Sequence, residues 1–376
     1  MLVSVRGNSD SRPLRILMTA DAVGGVWQYT VELVRRLAAE GAEVLVAILG
    51  PAPSAEQRDE LRRLPRVGFA ERSLALEWEP NPWADVDASG QWLLELDSQF
   101  HADVVHLNGC AHAALPWGKP VLVVAHSCVY SWWKNVLSTA PPDPDWVEYK
   151  RRVTAGLLAS DTIVAPSEFM AGEIRREYGA SGDKVRVIHN FSERQPETPR
   201  DKEPFFLAAG RVWDLAKNFA LLEDAAPFLH WPLKLAGKDH GATGSTSSLQ
   251  RLGHVATPEL LDLMARASVF VHPALYEPFG LSVLDAARAR CCLVLADTPS
   301  LRELWEEAAI FLDPRNSTDW VEQLNSLSRD PSRCHDMGNR AFVQSRRYTA
   351  ESSIRAYEQL YTELVTHGRK KGEEAA

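Results

Sequence analysis

Residues 14–49 read LRILMTADAVGGVWQYTVELVRRLAAEGAEVLVAIL. Leu14 to Met18 is an apolar run of strand length, and Gly24-Gly25 breaks it with a turn. Val31, Leu33, Val34, Leu37 and Ala38 then recur at the period of a helix with one apolar stripe, and Gly41 is placed to end that helix. Val44 to Leu49 is a second apolar run. Strand, turn, helix and strand in this order form a crossover unit. Such a unit makes its two strands parallel and buries them on both faces.

The same alternation extends in both halves of the chain. Asp103 to Leu107, Pro120 to Ala125, Thr162 to Ala165 and Val185 to Ile188 read as further strands of a first half. Asn190 to Pro204 then loses all hydrophobic period and carries Pro196, Pro199 and Pro204 among charges, the composition of an interdomain linker. Beyond it, strands are expected at Phe205 to Ala209, Lys234 to Ala236, Val269 to His272, Leu293 to Ala296 and Ile310 to Leu312. Helices are expected at Asn218 to Leu229 and Leu281 to Arg290. Ile354, Tyr357, Leu360, Tyr361 and Leu364 mark an amphipathic helix near the end. At 376 residues the chain is too long for one ordinary core. The expectation is an α/β protein of two doubly wound parallel-sheet domains. Ligands of such sheets sit at the carboxyl ends of the strands, so two facing domains would share an interdomain cleft.

Composition removes several function classes. Asp and Glu outnumber Lys and Arg by 50 to 41, a formal net charge of −9, which argues against a non-specific nucleic-acid binder. No apolar run reaches the roughly 20 residues of a membrane span. Met1 to Arg15 is polar and lacks the apolar centre of a signal peptide. The cysteines, Cys110, Cys128, Cys291, Cys292 and Cys334, show no zinc-site spacing, and Cys291-Cys292 sits in an apolar stretch that predicts burial. A reducing cytoplasm is the expected location. Asp85-Val86-Asp87 has a metal-like spacing, but it precedes the amphipathic run Trp92 to Leu96, where acids at a helix N-terminus are the simpler account. Asp143-Pro144-Asp145 reads as a turn.

The strongest chemical signal is Tyr276-Glu277-Pro278-Phe279-Gly280-Leu281-Ser282-Val283-Leu284-Asp285. It follows an expected strand. Pro278 and Gly280 suit a sharp turn into a helix at Leu281, which leaves backbone N–H groups free to hold a phosphate. Glu277 stands before that seat and Asp285 beyond it, at most roughly 12 Å along a helical path. One carboxylate can hold sugar hydroxyls while the other holds ribose hydroxyls. Gly210-Arg211 and Lys217-Asn218 follow another expected strand, where fixed cations would stabilise the charge growing on a leaving diphosphate without a metal. Asp21 to Trp27 carries Gly24-Gly25, which allows close backbone approach but is not the dinucleotide fingerprint. His126 closes the expected strand Val121 to Ala125.

The segment from Tyr276 to Asp285 resembles the Glu-x7-Glu signature of family 4 of the retaining GT-B glycosyltransferases, with Asp285 in place of the second Glu. The shorter side chain would need a bridging water or a small helix shift to reach a ribose. The resemblance covers most of the chain and includes Ala165-Pro166-Ser167-Glu168-Phe169 and Val187-Ile188-His189-Asn190. It implies a GT-B fold with an acceptor-binding domain over residues 1–193, joined by a crossover helix at 349–368. A donor-binding domain would occupy 194–348, and a disordered tail 369–376. It also implies a metal-independent, retaining transfer of a sugar from a UDP-sugar or GDP-mannose type donor, with no cofactor.

The catalytic set implied is Glu277, His126, Arg211 and Lys217, with His126 binding a sugar hydroxyl. Donor contacts fall on Gly24, Gly25, Arg211, Lys217, Glu277, Phe279, Gly280, Leu281 and Asp285, and on His254 and Val255 where relatives meet the nucleobase. His106 and His112 flank Asn108-Gly109 and would line the acceptor side; Ala52 to Ser98 resembles the family least and suits an acceptor-specific segment. Trp78, Trp83, Trp132 and Trp133 fall in loop-like stretches, where an indole either stacks on a ring or anchors the loop. Arg35-Arg36 and Lys150-Arg151-Arg152 would suit peripheral contact with an anionic membrane, or simply solvent. The rival readings are a nucleotide-sugar sensor without turnover and another GT-B enzyme, such as an epimerase.

Overall fold

The computed structural model describes residues 12–142, 145–195, 200–238 and 246–374. Pro196 and Pro199 of the expected linker, Asp143-Pro144, most of the polar start and the last two residues of the tail lie outside this range. The strands are β1 (Arg15–Asp21), β2 (Glu43–Leu49), β3 (Val67–Glu71), β4 (Val104–Leu107), β5 (Val121–Val124), β6 (Thr162–Ala165) and β7 (Val185–Val187). A second series comprises β8 (Glu203–Ala209), β9 (Leu233–Ala236), β10 (Leu249–Gly253), β11 (Ala267–His272), β12 (Cys292–Ala296) and β13 (Ala309–Leu312). They form a seven-stranded sheet of order β3-β2-β1-β4-β5-β6-β7 and a six-stranded sheet of order β10-β9-β8-β11-β12-β13.

Both orders run outward from a first strand, reverse, and continue on its other side. That is the doubly wound arrangement, and its switch points lie between β1 and β4 and between β8 and β11. Leu17 lies beside Val105 in the first sheet and Phe270 beside Leu207 in the second, and both strand pairs are parallel. Strand burial explains why the apolar runs were readable. β4, β5, β6, β11 and β12 are buried at every position, as strands covered on both faces must be. Cys291 and Cys292 are buried as expected, and all five cysteines are free thiols in the interior.

The chain separates into two compact units. One contains residues Met1–Val124, Arg151–Ile163 and Tyr357–Ala376; the other contains Ala125–Lys150 and Val164–Ala356. This differs from a division at residue 193. The loop after β5 and the β6–β7 segment group with the second unit because their side chains pack there. Val136 and Trp132 lie in one apolar cluster with Ala216 and Tyr276. Ser167 Oγ donates to the Pro278 carbonyl at 2.7 Å. The Glu303 carboxylate accepts from the amides of Glu168 and Phe169, each at 2.8 Å.

In the first unit, Tyr357 and Tyr361 of the final helix pack onto Tyr29 and His106. Tyr29 and Tyr357 hydroxyls are 2.7 Å apart, and His106 Nδ1 is 2.7 Å from Tyr361 Oη. Burial pushes all three phenols above their ordinary pKa, so they stay neutral partners. His106 is therefore a core residue and not part of an acceptor wall. His112 is likewise enclosed, with Nε2 2.9 Å from Ser89 Oγ and 3.0 Å from the Val86 carbonyl, and burial lowers its basicity.

Several boundaries move for local reasons. The final helix runs Ala350–Glu374, so the backbone of 369–374 is helical where a disordered tail was expected. Its Glu, Lys and Arg residues are strong helix formers. The helix expected at Asn218 to Leu229 is α-helical only over Phe219–Ala225. Asn218 adopts a left-handed conformation before it, and Pro227 tightens the chain after it into a 3₁₀ turn at Ala226–Phe228. Trp83 opens the helix Trp83–Phe100, and Trp132 and Trp133 lie in the helix Val129–Val136, so none of these three is in a loop. No described helix is long and apolar enough to cross a membrane.

Candidate active site

The second sheet's switch point brings the strongest motifs together. β8 and β11 are neighbours, so the loops that follow them leave the same sheet edge side by side. Three further hydrogen bonds hold those loops. Leu275 N–H donates to the Ala216 carbonyl at 2.8 Å, and Asn218 Nδ2 donates to the carbonyls of Pro273 and Pro314 at 3.1 and 2.7 Å. Lys217 and Glu277 therefore meet, with Nζ 2.5 Å from Oε2. Burial alone would favour the neutral carboxyl. Lys217 and a hydrogen bond from His272 outweigh it and hold Glu277 far below the usual carboxylate range. His272, the last residue of β11, is fully buried and places Nε2 3.1 Å from the same Oε2.

Glu277 is also fixed through its backbone, since Ser300 Oγ donates to its carbonyl at 2.5 Å. Gly280 then adopts φ 88° and caps the helix Leu281–Arg288. A side chain is disfavoured at that φ, and a Cβ there would stand 3.2 Å from Val283 Cγ2. The first N–H groups of this helix have no partner within the helix, as at any helix start. Phe279 turns its ring inward, 5.5 Å from Tyr348 and 6.3 Å from His189, so only its backbone is available to a ligand. Leu281 packs on the core edge. Asp285 is buried one turn further along the helix.

Arg211, His126, His254 and Val255 belong to the same unit as this pair. Arg211 follows Gly210 at the end of β8, but its guanidinium turns to Asp214, with Nη2 2.6 Å from Oδ2, and lies over Trp213 at 5.5 Å. Asp214 also accepts from the Ala216 amide at 3.0 Å, which braces the loop carrying Lys217. A Cβ on Gly237 would fall 1.8 Å from the Gly210 carbonyl oxygen, so the loops after β8 and β9 touch only because Gly237 is bare. Gly237 N–H in turn donates to the Gly253 carbonyl at 2.8 Å. This places the segment expected to face a nucleobase at the end of the edge strand β10. Val255 there is half-buried against the core and His254 is exposed.

His126 follows β5 and is half-buried; burial lowers its pKa to about 3. The ring is therefore neutral near pH 7 and suited to hydrogen bonding rather than to charge. Its neighbour Ser127 donates to Tyr276 Oη at 3.2 Å, which ties the loop after β5 to the residue before Glu277. Gly24 and Gly25 belong to the first unit. Gly24, at φ 67°, precedes the helix Gly25–Ala39 at the end of β1, beside that sheet's own switch point. Among the expected residues, the structure joins Lys217 to Glu277 directly and sets Arg211, Phe279, Gly280, Leu281 and Asp285 on the adjoining loops and helix. His272 was read only as the end of a strand. A histidine closing a buried strand, five residues before an acid across a turn, was the available signal.

Both acids of the Asp85-Val86-Asp87 spacing have protein partners. Asp85, in the first turn of the helix Trp83–Phe100, accepts from the Ala75 amide at 2.8 Å. Asp87 is bound by Arg152, with Nη2 3.2 Å from Oδ2 and Nη1 on the other oxygen.

Known proteins share this fold. Sucrose-phosphate synthase from Thermosynechococcus elongatus superposes with a TM-score of 0.75 at 17% identity, covering 94% of this chain and 100% of that one. HepE of Anabaena, solved in complex with UDP and glucose, gives 0.74 at 16% identity, covering 93% and 100%. Two doubly wound parallel-sheet α/β domains with these neighbours define a GT-B glycosyltransferase fold. In sequence, residues 23–193 match Glycosyltransferase Family 4 and residues 190–344 match Glycosyl transferases group 1. The D-inositol 3-phosphate glycosyltransferase of Streptomyces scabiei is 25% identical, with 95% of this chain and 90% of that protein covered. Glycogen synthase of Mycobacterium tuberculosis is also 25% identical, over 85% and 87%. The chain belongs to the group 1 glycosyltransferases of family 4 and is a glycosyltransferase enzyme.

Proposed function

We propose that the protein transfers a sugar from a nucleotide-sugar donor, without a metal and with retention of anomeric configuration. The observation that carries this reading is the ionised Glu277 beside Lys217 and ahead of the Gly280 turn. A carboxylate held ionised accepts hydrogen bonds from sugar hydroxyls. Lys217 and Arg211 supply positive charge where a departing diphosphate gains negative charge, and the amides of Phe279, Gly280 and Leu281 supply neutral donors. Asp285 would take the ribose hydroxyls, and the backbone around His254 and Val255 the base. His126 would bind a donor hydroxyl as a neutral ring. Gly24 and Gly25 would approach the donor phosphates or the acceptor. That HepE was solved with UDP and glucose supports a UDP-sugar as the first donor to try.

Retention without a covalent intermediate fits this set. The acceptor hydroxyl would attack the face from which the diphosphate leaves, and a phosphate oxygen would take its proton. The test is a thermal-shift titration with UDP, GDP, ADP and their common sugar conjugates, with and without EDTA. A shift with one nucleotide family that survives EDTA supports the assignment, because a ligand binding only the folded state raises the melting temperature. No shift with any of them at millimolar concentration counts against a donor site in this unit.

A further inference from the structure

Glu277 is held twice by one oxygen. Lys217 Nζ and His272 Nε2 both reach Oε2, at 2.5 and 3.1 Å. Among the described residues no group donates to Oε1. His272 is wholly buried, its ring 6.3 Å from Phe270, and its Nδ1 has no hydrogen-bond partner among the described residues. A neutral imidazole carries one N–H. Since Glu277 can only accept, that proton belongs on Nε2; a proton on Nδ1 would be a buried donor with nothing to receive it. Burial correspondingly lowers the basicity of His272, against the opposing pull of Glu277.

The two holders differ in what they can do next. Lys217 is a mobile cation on a flexible stem, and a diphosphate offers it more negative charge than Glu277 does. His272 is fixed at the end of a central strand and cannot follow. We propose that His272 is the positioning residue of this site: it anchors Glu277 by Oε2, presents Oε1 to the donor sugar, and lets Lys217 leave Glu277 for the incoming diphosphate. Without the His272 N–H, departure of Lys217 would leave a buried carboxylate with no hydrogen bond from the protein, which is costly. The lysine would then stay with Glu277 and the diphosphate would lose its cation. No proton moves in this hand-over; only the lysine's partner changes. The inference rests on the glycosyl-transfer reading above.

The test pairs His272→Met, which keeps bulk and removes the N–H, with His272→Gln, whose amide restores a donor near the Nε2 position. Melting curves establish folding, calorimetry with UDP (or GDP or ADP, whichever the wild type binds) gives affinity, and donor turnover gives kcat. His272→Met is expected to lose about tenfold in kcat and several-fold in nucleotide affinity, the scale of one charge-assisted hydrogen bond, and His272→Gln to recover most of both. A folded His272→Met with unchanged kcat and affinity overturns the proposal, as does a folded His272→Gln no better than the methionine variant. If His272→Met does not fold, ¹⁵N NMR of the wild-type imidazole decides: an Nε2–H tautomer supports it and an Nδ1–H tautomer overturns it. If the wild type binds none of the three nucleotides, the donor-site reading fails, while the tautomer still decides how His272 meets Glu277.

Discussion

Lys217 and Glu277 stand 60 positions apart in the chain, yet their charged atoms are 2.5 Å apart. Each comes from the loop after one of the two strands that flank the second sheet's switch point. Both side chains are largely shielded, at 15% and 11% exposure, so the pair is a buried one. Removing one member of such a pair costs about 3–5 kcal/mol, because the other charge is left behind. Lys217→Met should lower the melting temperature, by less than that range because the His272 N–H still holds Glu277, and it should also weaken nucleoside diphosphate binding. Glu277→Gln keeps an amide oxygen that can accept from Lys217 but leaves that cation without its counter-charge, so it too should melt below the wild type, and it should lose most transfer. A Glu277→Gln enzyme with near-normal turnover would remove Glu277 from the reaction.

Gly280 carries a separate prediction. Its φ of 88° disfavours any Cβ, and the nearest obstacle, Val283 Cγ2 at 3.2 Å, belongs to the helix that the turn opens. Gly280→Ala should cost about 1–2 kcal/mol from backbone strain alone. The strain acts on the amides of 280 and 281, so nucleotide affinity should fall along with the melting temperature. Calorimetry on the folded variant measures both. Loss of stability with unchanged affinity would mean that these amides do not touch the donor.

How far the sequence was readable follows from burial. Eleven strands were expected, and all eleven lie where an apolar run is covered on two faces or joins such a strand. The two that escaped, β3 (Val67–Glu71) and β10 (Leu249–Gly253), are the sheet edges next to β2 and β9. Their residues are mostly half-buried or exposed, so pairing with the neighbouring strand decides them rather than hydrophobic period. The same logic governs the site. Glu277, Gly280 and Lys217 stand in turns whose residue types announce themselves. His272 closes an apolar strand, where its one signal is an acid five residues on across a turn. His106 misled in the opposite sense: its neighbours Asn108 and Gly109 suggested a ligand wall, but two tyrosines from a helix more than 200 residues later enclose it.

His126 makes pH a probe of the loop after β5. Its pKa falls from an ordinary 6.5 to about 3 because burial disfavours the charged ring. The unfolded chain therefore binds a proton more readily than the folded one between these values. Stability is full above about pH 6.5 and declines as pH falls toward 3. Glu277 adds its own acid-linked loss only below the ordinary carboxylate range, since its folded pKa is depressed. His126→Gln should flatten the fall in melting temperature between pH 6.5 and 4.5, leaving the part due to His112 and His272, which are also depressed. Parallel melting curves at half-unit pH steps test this. An unchanged slope would mean that the His126 ring meets water more freely than its position after β5 implies.

The last prediction concerns metal. Under the proposed function the cations that would meet a leaving diphosphate are Lys217 and Arg211, and Arg211 is braced by Asp214. The Asp85-Val86-Asp87 spacing, by contrast, is used within the first unit. Asp85 holds the Ala75 amide and Asp87 holds Arg152, a partly exposed pair worth less than about 1 kcal/mol. Asp87→Ala should thus melt close to the wild type and transfer at a normal rate, and millimolar EDTA should leave the wild-type rate unchanged. Arg211→Ala should slow transfer, because one of the two cations is gone and its loop loses the brace through Asp214. Strong inhibition by EDTA, relieved by added Mg²⁺ or Mn²⁺ and abolished in Asp87→Ala, would transfer the charge-stabilising role from the two side chains to a bound ion.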